Sequence, residues 1–213
     1  MENDIKKMIE THKIIAIIRG VKNELLFPLA DVLYESGIKL VEVTINQSGE
    51  ISDTLKAVCG LTERFNGKMG IGAGTVMTAA QAEAVIDAGA KYIISPNTSR
   101  EVIERTKELG IVSIPGAFTP TEIAAAYSYG ADYVKIFPVN AVGPEYIKAV
   151  KAPLSHIPLL AVGGIDADNI TDYLDAGARG VGAGSALTNV NTPKDELYKI
   201  ARNMVGKIAM AFA

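Results

Sequence analysis

Two residues are placed where ordinary structural use is hard to justify: Lys135 in Tyr133-Val134-Lys135-Ile136-Phe137-Pro138, and Glu42 in Leu40-Val41-Glu42-Val43-Thr44-Ile45-Asn46. Both runs are apolar and strand-length, and side chains alternate between the faces of a strand. Val134 and Ile136 then share one face, while Tyr133, Lys135 and Phe137 share the other. Likewise Val41, Val43 and Ile45 oppose Leu40, Glu42, Thr44 and Asn46. A lysine in mid-strand is costly unless it is paired or its ammonium gives up a proton. Lys13, Lys39 and Lys91 avoid that cost by standing at strand starts. A desolvated amine is the nucleophile of Schiff-base chemistry, and a buried carboxylate is the matching acid/base. The plainer alternative is a structural Glu42–Lys135 ion pair.

These side chains need elements that bring two strands to one site. Lys13–Arg19 is a near-continuous apolar run, as in a parallel strand covered on both faces. The same strand-then-helix unit recurs, with strands expected at 40–46, 69–75, 92–96, 112–117, 133–138, 159–164 and 180–185. Helical segments are expected at 79–88, 100–109, 121–129, 145–150 and 168–175, with a long last helix from about Pro193. A short polar helix over residues 2–11 precedes the first strand. Gly37, Gly89, Gly110, Gly130 and Gly177 each fall just before a strand, as helix-ending glycines do. Thr78, Ser99, Thr119 and Asp166 are candidate helix caps. Eight such units predict a single (β/α)8 (TIM) barrel over 1–213 with a short N-terminal helix. A doubly wound open sheet is the second choice, because periodicity does not register closure.

Composition narrows the functions. The 21 basic and 24 acidic residues leave no surplus of positive charge for nucleic acid or an anionic membrane. No apolar run approaches the roughly 20 residues of a membrane span, and the first residues lack the apolar core of a signal peptide. A cytoplasmic protein is expected. The single cysteine, Cys59, excludes an intrachain disulfide and is expected to be a small core residue. His12 and His156 lie near helix-to-strand loops, and no metal-ligand spacing occurs.

In a barrel the chemistry sits at the C-terminal ends of the strands. There Arg19 could hold an anion, and Thr75 follows Gly72-Ala73-Gly74, where small residues let a ligand approach the backbone. Ser95-Pro96 and Pro115-Gly116 are turn-forming strand ends. Val162-Gly163-Gly164-Ile165 and Gly182-Ala183-Gly184-Ser185 end the seventh and eighth strands, the two loops with which barrels frequently bind phosphate.

These motifs, with Ile17-Ile18-Arg19-Gly20, Val41-Glu42-Val43-Thr44, Ile71-Gly72-Ala73-Gly74-Thr75-Val76, Ile94-Ser95-Pro96-Asn97 and Val134-Lys135-Ile136-Phe137-Pro138, resemble the class I 2-keto-3-deoxy-6-phosphogluconate / 4-hydroxy-2-oxoglutarate aldolases. The likeness spans nearly the whole chain in the correct order. It implies Lys135 as the Schiff-base lysine and Glu42 as general acid/base. Thr75, Pro96 and Phe137 would surround the pyruvyl part of the substrate, Thr44 would also be substrate-binding, and Gly163, Gly164, Gly184 and Ser185 would hold its phosphate. It also implies a homotrimer, a 2-keto-3-deoxy sugar acid phosphate as substrate, and no cofactor, since the iminium does the polarising.

Two positions depart from the pattern: many members carry Arg at Asn46 and Thr at Val162. With Arg19, these departures resemble the branch acting on 2-keto-3-deoxy-6-phosphogalactonate, whereas Thr44 fits the gluconate type. The expectation is cleavage of the gluconate epimer, extending to 4-hydroxy-2-oxoglutarate, with the galactonate epimer as alternative. Arg19 is expected to bind the substrate carboxylate and Asn46 to add a neutral hydrogen bond. A phosphosugar isomerase or synthase would explain the glycine loops but not Lys135. A non-catalytic phosphosugar sensor would bind without turnover.

Overall fold

A computed structural model describes residues 2–212. Its strands are β1 (Ile14–Ile18), β2 (Leu40–Thr44), β3 (Gly70–Gly74), β4 (Tyr92–Ile94), β5 (Val112–Ile114), β6 (Gly116–Ala117), β7 (Val134–Ile136), β8 (Leu159–Val162) and β9 (Gly180–Ala183). The α-helices are α1 (Glu2–His12), α2 (Asn23–Ser36), α3 (Ile51–Phe65), α4 (Ala79–Asp87), α5 (Arg100–Glu108), α6 (Pro120–Ser128), α7 (Pro144–Lys151), α8 (Ile170–Asp175), α9 (Ser185–Thr188) and α10 (Lys194–Ala211). Among the described residues no helix is long and apolar enough to cross a membrane.

Every strand pairing is parallel, in the order β5-β4-β3-β2-β1-β9-β8-β7-β6. The expected strand over 112–117 is thus two pieces, because Pro115 has no N–H for the ladder. Its carbonyl still accepts from Lys135 N at 2.8 Å, and Ala117 O accepts from Phe137 N at 3.2 Å. β5 and β6 therefore serve as one interrupted strand between β4 and β7. Nine strands fill eight positions, and the sheet closes as a barrel.

Closure separates two cores. Ile14, Ala16, Ile18, Val41, Val43, Val134 and Ile136 face outward into a layer shared with the helices. A smaller inner cluster holds Ile15, Leu40, Tyr92, Ile94, Val112, Ile114, Tyr133 and Leu160, joined by Ile5 and Ile9 of α1. The N-terminal helix is thus a plug for the barrel floor. Its acidic and basic side chains anchor it: Asp132 accepts from Lys107 Nζ and from Ser113 N and meets Lys6 Nζ at 2.5 Å, while Tyr133 Oη donates to Glu10.

Thr78, Ser99 and Thr119 cap α4, α5 and α6 through their hydroxyls. Asp166 does not cap a helix. It accepts from the amides of Asp168 and Asn169 in the turn before α8, which starts at Ile170. Cys59 is exposed, correcting the core assignment. On α3 it is Ala57, Val58 and Leu61 that point inward, leaving position 59 on the water side.

Ile9 is 1 % exposed at the centre of the plug. Ile9→Ala should cost about 2–5 kcal/mol in denaturant unfolding. Activity at 25 °C should survive, because the opposite end of the barrel carries the chemistry.

Candidate active site

Glu42 on β2 and Lys135 on β7 both point into the barrel, 2 % and 6 % exposed. β2 places Val41 and Val43 against helices and so turns Glu42 inward. β7 does the same with Val134 and Ile136 and turns Lys135 inward. Oε2 of Glu42 is buried without a hydrogen-bond partner. The Lys135 ammonium lies 4.9 Å from the centre of the Phe137 ring. Burial pushes the Glu42 carboxyl up to about 7, against the opposing pull of the Lys135 and Arg19 charges. Burial also draws Lys135 down to about 8, aided by Arg19 and opposed by Glu42. Both groups thus titrate near neutrality.

β3 makes room for this arrangement. An added Cβ on Gly74 would lie 1.5 Å from Glu42 Oε1, and one on Gly72 would lie 2.2 Å from the Tyr92 ring. The Glu42 carboxyl therefore rests against the Gly74 backbone. Tyr92 fills the floor beneath, its hydroxyl donating to Val41 O at 2.6 Å.

A cavity of about 590 Å³ opens above the pair, lined by Ile17, Arg19, Glu42, Lys135, Phe137, Val162, Gly163, Gly164, Ile165, Gly182, Gly184, Ser185, Thr188 and Asn189. A groove of about 640 Å³ between α6 and α7 is larger, but no ionisable group except Tyr146 lines it, so the chemistry belongs to the barrel cavity. Gly163 and Gly164 have φ of 116° and 68°, a turn open to glycine. Asn169 Nδ2 fixes the Gly164 carbonyl at 2.8 Å. Ser185 opens α9, and the Thr188 hydroxyl pins that short helix to Ile17 O at 3.1 Å.

The model of the "KDPG and KHG aldolase" family matches residues 5–203. This chain belongs to that family. It is 38 % identical to the 2-dehydro-3-deoxy-6-phosphogalactonate aldolase of Escherichia coli (strain K12) over 175 residues, 82 % of this chain and 83 % of the relative. It is 31 % identical to the 2-dehydro-3-deoxy-phosphogluconate aldolase of Haemophilus influenzae over 163 residues, 76 % of this chain and 74 % of that one. A solved structure described as "Native KDPGal structure" superposes with a TM-score of 0.86 at 34 % identity, covering 93 % of this chain and 95 % of the other. The protein is an aldolase, a carbon–carbon lyase on a barrel.

In this aldolase the cavity gathers eight of the twelve residues singled out from sequence: Arg19, Glu42, Lys135, Phe137, Gly163, Gly164, Gly184 and Ser185. Thr44 and Asn46 line a neighbouring pocket between α2 and α3 instead. The Thr44 hydroxyl donates to Ile18 O at 3.2 Å, and Asn46 Oδ1 accepts from Ser48 N at 3.1 Å within its own turn. Thr75 and Pro96 stand at the ends of β3 and β4 without lining the cavity. Thr75 has φ of 57°, a left-handed conformation uncommon for a β-branched residue. Val162 and Gly182, named from sequence only within the two glycine-loop motifs, also line the cavity, as strand alternation turns them inward. Thr188 ends a one-turn helix that no periodic signal announces, and Asn189 follows it.

Two outcomes test this geometry. Gly74→Ala should drive the Glu42 carboxyl from its place, visible in a crystal structure, and lower aldol cleavage by roughly the 10²–10⁴-fold of a lost acid/base. Arg19→Ala removes a cation that disfavours the Lys135 ammonium and favours the Glu42 carboxylate. Both groups should then titrate higher than about 8 and about 7, moving the pH dependence of lysine reactivity upward. An unchanged profile would put Arg19 out of electrostatic reach.

Proposed function

We propose that this aldolase cleaves 2-keto-3-deoxy-6-phosphogalactonate to pyruvate and glyceraldehyde 3-phosphate through a Schiff base on Lys135. The observation that carries the mechanism is that Lys135 and Glu42 are buried together at one cavity, where desolvation moves each toward its neutral form. Neutral Lys135 attacks the C2 ketone, and loss of water leaves an iminium. Glu42 takes the C4 hydroxyl proton as the C3–C4 bond breaks. The bonding electrons pass onto nitrogen as an enamine, and the aldehyde departs. Return of the proton to C3 and hydrolysis of the resulting iminium release pyruvate and restore the amine.

In this scheme Arg19, on the cavity wall, neutralises the substrate carboxylate, while Phe137 borders the pyruvyl part. Gly163, Gly164, Gly184 and Ser185 receive the phosphate. The epimer is favoured by two supports. The E. coli relative at 38 % identity is named for the galactonate, whereas the Haemophilus relative named for the gluconate is 31 % identical. The two substrates differ only at C4, the carbon whose hydroxyl is deprotonated. Val162 lines the cavity without a hydrogen-bonding group, where many members of the family carry Thr, a departure that resembles the galactonate branch. This replaces the gluconate expectation with its alternative.

Borohydride with pyruvate should add one pyruvate-derived mass to the peptide carrying Lys135, and none in Lys135→Arg. Glu42→Gln should retain trapping while turnover falls by roughly 10²–10⁴-fold. In steady-state assays kcat/KM should be higher for the galactonate epimer. A preference for the gluconate would reverse the substrate assignment, and binding without trapping or turnover would leave a phosphosugar sensor.

A further inference from the structure

Residues 75–77 leave the regular ladder just past Gly74, where the Glu42 carboxyl rests. Gly74 O still accepts from Ile45 N at 2.8 Å, and Val76 N donates to Ile94 O at 3.2 Å, so the chain passes from β2 to β4 across Thr75. Thr75 sits at φ 57°, where a β-branched side chain needs outside support to persist. Two glutamines supply it. Gln47 Nε2 donates to Thr75 O at 2.7 Å, Gln81 Nε2 donates to Gln47 Oε1 at 3.1 Å, and Met77 N donates to Gln81 Oε1 at 2.8 Å. Gln81 is held at the helix start, its own amide donating to the Thr78 cap at 3.2 Å.

The three bonds run with one polarity, from the Met77 amide through two carboxamides to the Thr75 carbonyl. Aligned dipoles of this kind strengthen one another. Turning either carboxamide over would set N–H against N–H or oxygen against oxygen, so the chain of bonds fixes both orientations. The bonds are exposed, and exposed hydrogen bonds add little to global stability because water replaces them. Their effect falls on the local backbone.

We propose that Gln47 and Gln81 are positioning residues, a relay that fixes the Gly74–Thr75 backbone and thereby seats the Glu42 carboxyl for proton transfer. The inference rests on the aldol mechanism above, but it has a readout independent of that mechanism. Gln81→Glu keeps the acceptor for Met77 and sets oxygen against oxygen at Gln47. Gln47→Lys keeps the donor to Thr75 and faces the Gln81 amino group with a cation. Combining the two restores the polarity: the new ammonium donates to Thr75 O and to the new carboxylate, which also accepts from Met77 N.

Each single variant, and Gln47→Ala, should lower kcat for cleavage by roughly 10- to 100-fold, the scale of a misplaced catalytic group. Trapping of pyruvate on Lys135 should stay at the wild-type level, since β7 lies outside the relay. Exchange of the Met77 amide should accelerate in Gln81→Ala, which removes its acceptor, and in Gln47→Ala. The double variant should recover kcat and slow exchange together. A general loss of structure would instead lower trapping and cleavage alike, and that result overturns the proposal. Wild-type kcat in the single variants, or a double variant no better than either single, also overturns it. Should the wild-type chain trap pyruvate nowhere, the aldol mechanism falls, and unaltered Met77 exchange in Gln47→Ala would separately overturn the relay.

Discussion

The structure depends on keeping two ionisable groups of opposite sign buried in one barrel interior. Unit charges 4 Å apart attract by about 4 kcal/mol at an effective dielectric of ~20, and a contact pair would hold both groups ionised. Glu42 and Lys135 share the barrel interior, yet Oε2 of Glu42 has no hydrogen-bond partner. Desolvation therefore outweighs their attraction, and each is moved toward neutrality rather than away from it. An unpartnered buried carboxyl oxygen is a cost to folding. It leaves Glu42 free to exchange a proton with something other than the lysine.

The barrel is built around holding that cost in place. Beneath the pair, the inner cluster and the α1 plug keep water from entering through the floor. Tyr92 occupies the volume released by Gly72, and Glu42 occupies the volume released by Gly74. The alternation Gly-Ile-Gly-Ala-Gly on β3 is thus a division of labour. Ile71 and Ala73 face the outer core, and the glycines have no inward side chain because their neighbours' side chains fill that space. Stability resides in the floor and outer layer, and the strained, polar segments lie at the mouth.

Much of this was legible because alternation on a covered strand is unforgiving. With Val41, Val43, Val134 and Ile136 committed to the helices, Glu42 and Lys135 had only the interior left. Helix-ending glycines marked the repeat, and Gly37 and Gly130 do take φ of 105° and 100°. Failures came where the outcome depended on a neighbour in space. Pro115 breaks a strand but not the barrel, because its carbonyl still reaches Lys135 N. Cys59 required the facing of α3 to be known. Thr44 and Asn46 share the inward face of β2 by count, but one hydroxyl is drawn to Ile18 O and one amide oxygen to Ser48 N. Alternation weakens at a strand's last residue, where the turn decides the direction.

That last point bears on how a substrate carboxylate is held. Many members of the family place an arginine where this chain has Asn46. Here the position shapes a turn: Asn46 Oδ1 accepts from Ser48 N, Asn46 O accepts from Gly49 N, and Gln47 is thereby aimed at Thr75. A residue so engaged is poorly placed to balance a buried anion, and a neutral amide would balance none of its charge. Among the described residues lining the cavity, the cations are Lys135, which the mechanism uses as a neutral nucleophile, and Arg19. On the proposed reading the anchoring charge has thus moved from the second strand to the first. The same guanidinium then does two things at once: it holds the carboxylate and, by its field, helps keep Lys135 unprotonated. Binding of the anion would partly cancel that field, so the amine should regain basicity as substrate arrives, which suits a nitrogen that must next carry an iminium charge.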